Sequence, residues 1–376
     1  MTTRKVQIFY ASIGSGHLIA ARSISQAIKN INPDVEIELQ DIFRHSRIDV
    51  IFQEIMAFLP SFVFPELYTR IWKRGSFKWL YDLSSSFGPI KGKILRKIQL
   101  CSPDLLICTH TCPCAVISNW KQNHILPPLI AVATDQYIHP YWPIKNIDAF
   151  IAPNIPMKKE LIQRGFEKER IFPFGIPVSP KMKMSVPKND KKKRMKVIVL
   201  SGSFRVAPYL IIHKRVNELL DYLEFHQSEK IIWQFVFGAA NGLKTISQHK
   251  FINRKDVEIY DFPENVQNMM ANSDFVFTKP GGLTVAEALA LKKPIVLLSA
   301  GAGQERENTN YVINSRSGIL LDKKADLIHF TEEILRNPRS VQERFTQPSN
   351  SLINSAQQVA HLVLRLMDES RNAFNG

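Results

Sequence analysis

Cysteine is scarce in this chain of 376 residues, and the four present (Cys101, Cys108, Cys112 and Cys114) fall within fourteen positions of one another. That spacing builds no disulfide framework and suits a reducing compartment. Long apolar runs are lacking as well. No eighteen consecutive residues are uninterruptedly apolar, so a spanning helix is not expected. A strand-like run begins by Val6, so no signal or transit peptide is expected ahead of it. What remains is an ordinary globular composition, 45% apolar, 22% charged and 10% aromatic, which excludes disordered, collagen-like and coiled-coil classes. The length exceeds what one small core accommodates and predicts two domains.

Acidic residues are in deficit, 34 against 49 Lys and Arg, for a net charge of +15. The excess sits almost wholly in one half. Residues 1–196 carry 29 basic and 15 acidic groups, whereas residues 197–376 carry 20 and 19. Within 70–97 stand Arg70, Lys73, Arg74, Lys78, Lys91, Lys93, Arg96 and Lys97 against Asp82 alone. A field of this kind suits a polyanion or an anionic membrane surface, though a solubilising face carries the same pattern.

Short β-rich runs alternate with helical patterns along most of the chain. Strands are expected at 6–11, 35–40, 104–108, 129–133 and 148–152, and again at 196–200, 231–237, 257–260, 274–278 and 294–298. Several are continuous apolar stretches, as parallel strands covered on both faces require. The alternation predicts an α/β protein of two Rossmann-like, doubly wound domains facing a central cleft. Residues 177–196, rich in Pro and Lys without apolar period, read as the linker. The expected domains are 1–176 and 197–350, with 351–376 as a helix returning to the first. Residues 48–72 break the alternation, being dense in Ile, Phe, Leu and Trp yet interrupted by Pro60 and Pro65. They fit either an interfacial membrane element or a buried helix pair capping the first sheet.

Two glycine turns carry the chemistry. The first strand runs into Ile13-Gly14-Ser15-Gly16-His17 and then an amphipathic helix. Such a turn lets a ligand approach the backbone, and the helix start offers N–H groups to an anion or hydroxyl. The third glycine of the dinucleotide fingerprint is missing. His17, in the first helical turn, can take a proton near neutrality. The strand at 274–278 leads into Thr278-Lys279-Pro280-Gly281-Gly282-Leu283-Thr284-Val285-Ala286-Glu287. A helix opening there suits a phosphate, and Glu287 could accept both hydroxyls of a ribose. Residues 301–308 form a polar loop whose amide and carboxylate groups suit sugar hydroxyls. The Cys108-x-His110-x-Cys112-x-Cys114 spacing is not that of a zinc site, and ordinary loop thiols are expected.

These segments, with DLLICTHTCPCAVISNWK, AVATDQYIHPYWPIKNIDAFIAPN and VEIYDFPENVQNMMANSDFVFTKPGG, resemble glycosyltransferase family 28 in the correct order over roughly residues 5–320. The likeness is to its diacylglycerol glycosyltransferases, the monogalactosyldiacylglycerol synthases and processive glucosyltransferases. It implies a GT-B fold and a UDP-sugar donor, UDP-glucose or UDP-galactose, with no cofactor and no metal; no Asp-x-Asp motif occurs. It further implies that residues around Phe262 to Met270 hold the uracil, partly through backbone groups. Glu287 would hold the ribose, and Gly281, Gly282, Leu283 and Thr284 would face the diphosphate with Gly202 and Ser203. Gln304 and Glu305 would bind the donor sugar, and Asn308 would steady that loop. The acceptor would meet Gly14, Gly16, His139 and Trp142, with His17 or Asp135 as the base.

The implied reaction is inverting hexosyl transfer to diacylglycerol at the cytoplasmic membrane face, by a peripheral enzyme docked on anionic lipid. A UDP-GlcNAc transferase acting on a polyprenyl-linked peptidoglycan precursor is the alternative on the same fold. A UDP-sugar epimerase fits the domains but not the basic face. A nucleic-acid-binding protein would need a recognisable module among the basic residues, and none is found; no nucleic-acid partner is expected.

Overall fold

The computed structural model describes residues 4–12, 15–42, 65–75, 89–185, 194–202, 210–238, 241–261, 263, 265–346 and 352–375. Gly14, Ser203, Phe262, most of the 48–72 segment and residues 186–193 lie outside them. The chain divides into two compact units, Met1–Pro180 with Leu352–Gly376, and Lys181–Ser351.

The first unit contains β1 (Lys5–Tyr10), α1 (Gly16–Ile31), β2 (Glu36–Asp41), α2 (Pro65–Arg74) and α3 (Pro89–Cys101). There follow β3 (Leu105–Cys108), α4 (Thr111–Trp120), β4 (Leu129–Val132), β5 (Ala149–Ile151), α5 (Ile155–Gln163) and β6 (Ile171–Phe172). Six parallel strands lie in the order β2-β1-β3-β4-β5-β6. Strand side chains alternate between faces, and that alternation sorts the core into two layers. Val6 and Ile8 pack with Ile24 and Ile28 of α1 on one face. Phe9 packs with Ile94 and Ile98 of α3 and Val116 of α4 on the other.

The second unit contains β7 (Met195–Leu200), α6 (Leu210–Phe225), β8 (Ile231–Val236), α7 (Asn241–Lys250), β9 (Val257–Tyr260) and α8 (Val266–Ala271). It continues with β10 (Phe275–Thr278), α9 (Gly282–Ala290), β11 (Ile295–Leu297), α10 (Gln304–Asn314) and β12 (Gly318–Leu320). Helices α11 (Lys324–Arg336) and α12 (Pro338–Glu343) complete it. Its parallel sheet has the order β12-β11-β10-β7-β8-β9. The last helix, α13 (Ser355–Asn375), belongs to the first unit, where Val359, Ala360, Val363 and Met367 form a helical stripe against the α1 layer.

The ten expected strands are all present, with ends within a residue of the apolar runs in most cases. Two were not foreseen, β6 and β12, which are edge strands of two and three residues. Among the described residues no helix is long and apolar enough to cross a membrane.

The strand orders decide where a ligand can bind. In each sheet the connections turn in opposite directions from one pair of neighbouring strands, β1 and β3 in the first and β7 and β10 in the second. At such a point the two following loops part and leave a crevice at the carboxyl ends of the strands. Both glycine turns read from the sequence follow strands of these pairs.

Candidate active site

At the first switch point β1 leads to His17 and β3 leads to Thr109 and His110. Parallel pairing sets Phe9 opposite Cys108, so the residues that follow converge. His17 is clamped from two sides by Thr109. Its Nδ1 lies 2.8 Å from Thr109 O, while Thr109 Oγ1 donates to His17 O at 3.1 Å. Thr134, two residues beyond β4, brings its Oγ1 within 3.0 Å of the same Nδ1. A carbonyl only accepts, so Nδ1 carries the hydrogen and the lone pair stays on Nε2. Burial lowers the His17 pKa below the usual histidine value, against the opposing pull of the Asp135 charge and the Thr109 bond. The ring is therefore neutral at pH 7 and basic at Nε2.

His110 stands edge-on to His17, ring centroids 4.8 Å apart. It caps α4, its Nδ1 accepting the Cys112 amide at 3.1 Å, which fixes the opposite tautomer with the hydrogen on Nε2. Burial, and then the neighbouring His17, hold its pKa well below the ordinary value. Asp135 follows Thr134 and reaches His17 through its charge, since Nδ1 is already engaged by Thr109 and Thr134. Gly16 is partly buried at the start of α1. His139 and Trp142 lie further along the same loop and both are largely buried. The Trp142 ring packs edge-on against Phe150 at 5.4 Å, as a core residue does, and His139 Nδ1 accepts the Tyr141 amide. Cys108 and Cys114 are interior, and burial pushes the Cys108 thiol far up. Among the described residues no three His, Cys, Asp or Glu side chains gather as a metal-ligand set.

At the second switch point β10 ends in Thr278 and α9 starts at Gly282, capped by Gly281 in extended conformation without a side-chain partner. By helix geometry the amides of Gly282, Leu283 and Thr284 have no intrahelical acceptor, so an anion is favoured there. Gly202, beyond β7, has φ +88°, a left-handed conformation that suits glycine. Glu287 lies on α9 and is 4% exposed. Its carboxyl accepts one long hydrogen bond, from Gln267 Nε2 at 3.3 Å, and burial raises its pKa to about 7. Met270 on α8 is fully buried, and its side chain fills the interior.

Helix α10 is docked on the same loop. Asn308, fully buried, donates from Nδ2 to Pro280 O at 2.9 Å. Glu305 forms an ion pair with Lys279, and Gln304 is exposed beside it. Gly301, at φ +65°, makes this closure possible, because a Cβ there would lie 2.4 Å from Glu305 Cβ. The sequence reading brought out Glu287, Glu305 and Asn308 but not Lys279, Gln267, Thr109 or Thr134. His110 was noticed only within the cysteine cluster. The signal that joins these residues is strand order, which brings β3 beside β1 and β10 beside β7.

Two parallel Rossmann-like units of this kind define a GT-B-type fold, shared by glycosyltransferases and UDP-sugar epimerases. The S. aureus MnaA–UDP structure superposes with TM-score 0.59 at 15% identity, covering 96% of this chain and 97% of that one. Acinetobacter baumannii MurG gives 0.56 at 12% identity, covering 96% and 99%. At these identities the likeness concerns the fold alone. Family models separate the two classes. Residues 17–178 match the monogalactosyldiacylglycerol (MGDG) synthase model and residues 197–363 the glycosyltransferase family 28 C-terminal domain. The chain belongs to glycosyltransferase family 28. A processive diacylglycerol beta-glucosyltransferase of Staphylococcus carnosus (strain TM300) is 25% identical over 378 residues, covering 96% of this chain and 90% of that protein. Its namesake in Bacillus subtilis (strain 168) is 22% identical over 348 residues, covering 89% and 87%.

Proposed function

We propose that this enzyme transfers a hexose from a UDP-sugar to diacylglycerol with inversion at the anomeric carbon. The observation that carries the reading is the pair of family matches in one chain, the first taking in His17 and the loop after β3, the second the loop between β10 and α9. Glucose is the favoured sugar, because relatives aligned over nearly the whole chain are named beta-glucosyltransferases.

In the reaction His17 Nε2 takes the proton of the acceptor hydroxyl as its oxygen bonds to the anomeric carbon. The bond from that carbon to the diphosphate oxygen breaks, and UDP leaves with the electron pair. Thr109 and Thr134 hold the tautomer that makes Nε2 the base, and the Asp135 charge stabilises the imidazolium that forms. The α9 amides stabilise the departing diphosphate, and Glu287 accepts the ribose hydroxyls. Glu305 and Gln304 bind the sugar, and Asn308 keeps their helix against the phosphate loop.

The acceptor is a lipid, which gives the basic first unit a purpose. Arg70, Lys73 and Arg74 on α2 and Arg96 on α3 are exposed, as are Leu67 and Leu100. These residues dock the enzyme on anionic lipid at the cytoplasmic membrane face. The test is product analysis: labelled UDP-glucose and UDP-galactose with diacylglycerol in anionic vesicles, followed by isolation of the lipid and assignment of its anomer. A β-hexosyl diacylglycerol supports the reading. A hexose delivered only to a polyprenyl-linked acceptor, or epimerised without transfer, refutes it.

A further inference from the structure

Lys279 is the one cation in the β10–α9 loop, and the reaction as written above gives it nothing to do. Its position is unusual for a lysine. A Cβ built on Gly281, the N-cap of α9, would lie 3.7 Å from Lys279 Cε and 3.9 Å from Nζ. The ammonium thus stands over a helix N-terminus, where the helix field is already positive and repels it. A lysine serving only to stabilise the helix would be at the opposite end. The absence of a side chain at Gly281 keeps the approach open.

The ammonium is held there by Glu305, in an ion pair whose side chains are 18% and 27% exposed. The pair is not what binds α10 to the loop. That connection is made by Asn308 Nδ2 on Pro280 O at 2.9 Å, by Thr309 Oγ1 on Ala300 O at 3.0 Å, and by the close contact between Gly301 and Glu305. The backbones on both sides are therefore fixed independently of the ion pair. The two charged tips remain reachable from solvent beside the amides of Gly282, Leu283 and Thr284.

We propose that Lys279 determines the donor site's specificity for a diphosphate, with Glu305 as its exchangeable counter-ion. On donor binding the ammonium passes from the carboxylate to the phosphate oxygens, and the released carboxylate turns to the sugar hydroxyls. This inference rests on the UDP-sugar reading above and deepens it. The exchange is favourable because a diphosphate carries more charge than one carboxylate and also meets the α9 amides. It links the two halves of donor recognition, since Glu305 becomes available to the sugar as Lys279 is taken by the diphosphate.

The test compares UDP with uridine by calorimetry on the full chain, in the wild type, Lys279→Met and Glu305→Gln. Lys279→Met should weaken UDP by about tenfold or more while uridine changes by less than about twofold. Glu305→Gln removes the competing anion, so UDP should bind about threefold tighter or better while turnover with UDP-sugar falls. A purely structural ion pair predicts the opposite sign for Glu305→Gln, and weaker UDP binding in that variant overturns the exchange. An unchanged UDP-to-uridine ratio in Lys279→Met also overturns it. Should Lys279→Met fail to fold, the sign of the Glu305→Gln effect decides alone. Wild type that binds UDP tightly while either of these results appears leaves the donor reading standing. Wild type that binds no UDP removes the donor reading and the exchange together.

Discussion

Replacing Glu287 by Gln isolates the proposed ribose contact, because burial has placed this carboxyl's pKa at about 7. A ribose offers two hydroxyl donors, and only the ionised carboxylate accepts both. With a pKa near 7, about nine-tenths of the side chain is ionised at pH 8 and about one-tenth at pH 6. Wild-type affinity for UDP should therefore fall about tenfold across that range from this group alone. Gln replaces the carboxylate by a neutral amide of similar size, losing charge-assisted hydrogen bonds of about 1.5–3 kcal/mol, or about 10- to 100-fold in Kd at pH 8. At pH 6 most of the wild type is protonated, and the gap should shrink by about tenfold. The assay is UDP titration of both proteins from pH 6 to pH 8. The ratio of the two affinities cancels the ionisation of UDP itself. A ratio that stays constant with pH, or equal affinities at pH 8, would refute the reasoning. The same carboxyl makes a stability prediction. Its folded pKa exceeds the unfolded value, so the folded state is favoured below about pH 4.5 and loses about 3 kcal/mol as pH rises through 7. Glu287→Gln should thus raise the Tm at pH 8 and leave it unchanged near pH 4.

Asp135→Asn should shift the acid limb of kcat/KM to lower pH, because the Asp135 charge raises the His17 pKa. Some turnover should survive, whereas loss as complete as in His17→Ala would make Asp135 the base. Gly318→Ala should destabilise the second unit by about 2 kcal/mol or more in urea unfolding, since the added Cβ would lie 2.1 Å from Ile295 O. Neutralising Arg70, Lys73 and Arg74 together should weaken sedimentation with anionic vesicles by about 1 kcal/mol per charge, with no change on neutral vesicles. Equal loss on both would remove the electrostatic docking.

Most of the fold could be read in the sequence because parallel strands covered on both faces appear as predominantly apolar runs. VQIFY, LLIC, IIWQFV and FVFT each became a buried strand. The strands that escaped were those the pattern cannot mark. Ile171–Phe172 is two residues long, and Gly318–Leu320 opens on a glycine where the neighbouring strand's backbone comes close. The candidate site was legible where a motif spans adjacent residues, as in Gly281–Glu287 and Gln304–Asn308. It was not legible where three separate strands converge. His17, Thr109 and Thr134 are joined by hydrogen bonds across 92 and 117 positions. Only the strand order β1-β3-β4 puts them together, and no local signal in a single sequence encodes that order. Trp142, which the family resemblance implied at the acceptor, folds inward, and its ring joins the layer around Phe150.

The most direct test of the central claim is release of UDP from UDP-glucose and UDP-galactose, with and without diacylglycerol in anionic vesicles. Wild type would be run beside His17→Ala and Glu287→Ala. The account predicts acceptor-dependent release with one donor, reduced about 100-fold or more in His17→Ala and in Glu287→Ala recovered in part by raising the donor concentration. Release that does not depend on the lipid, or that persists undiminished in His17→Ala, would contradict it.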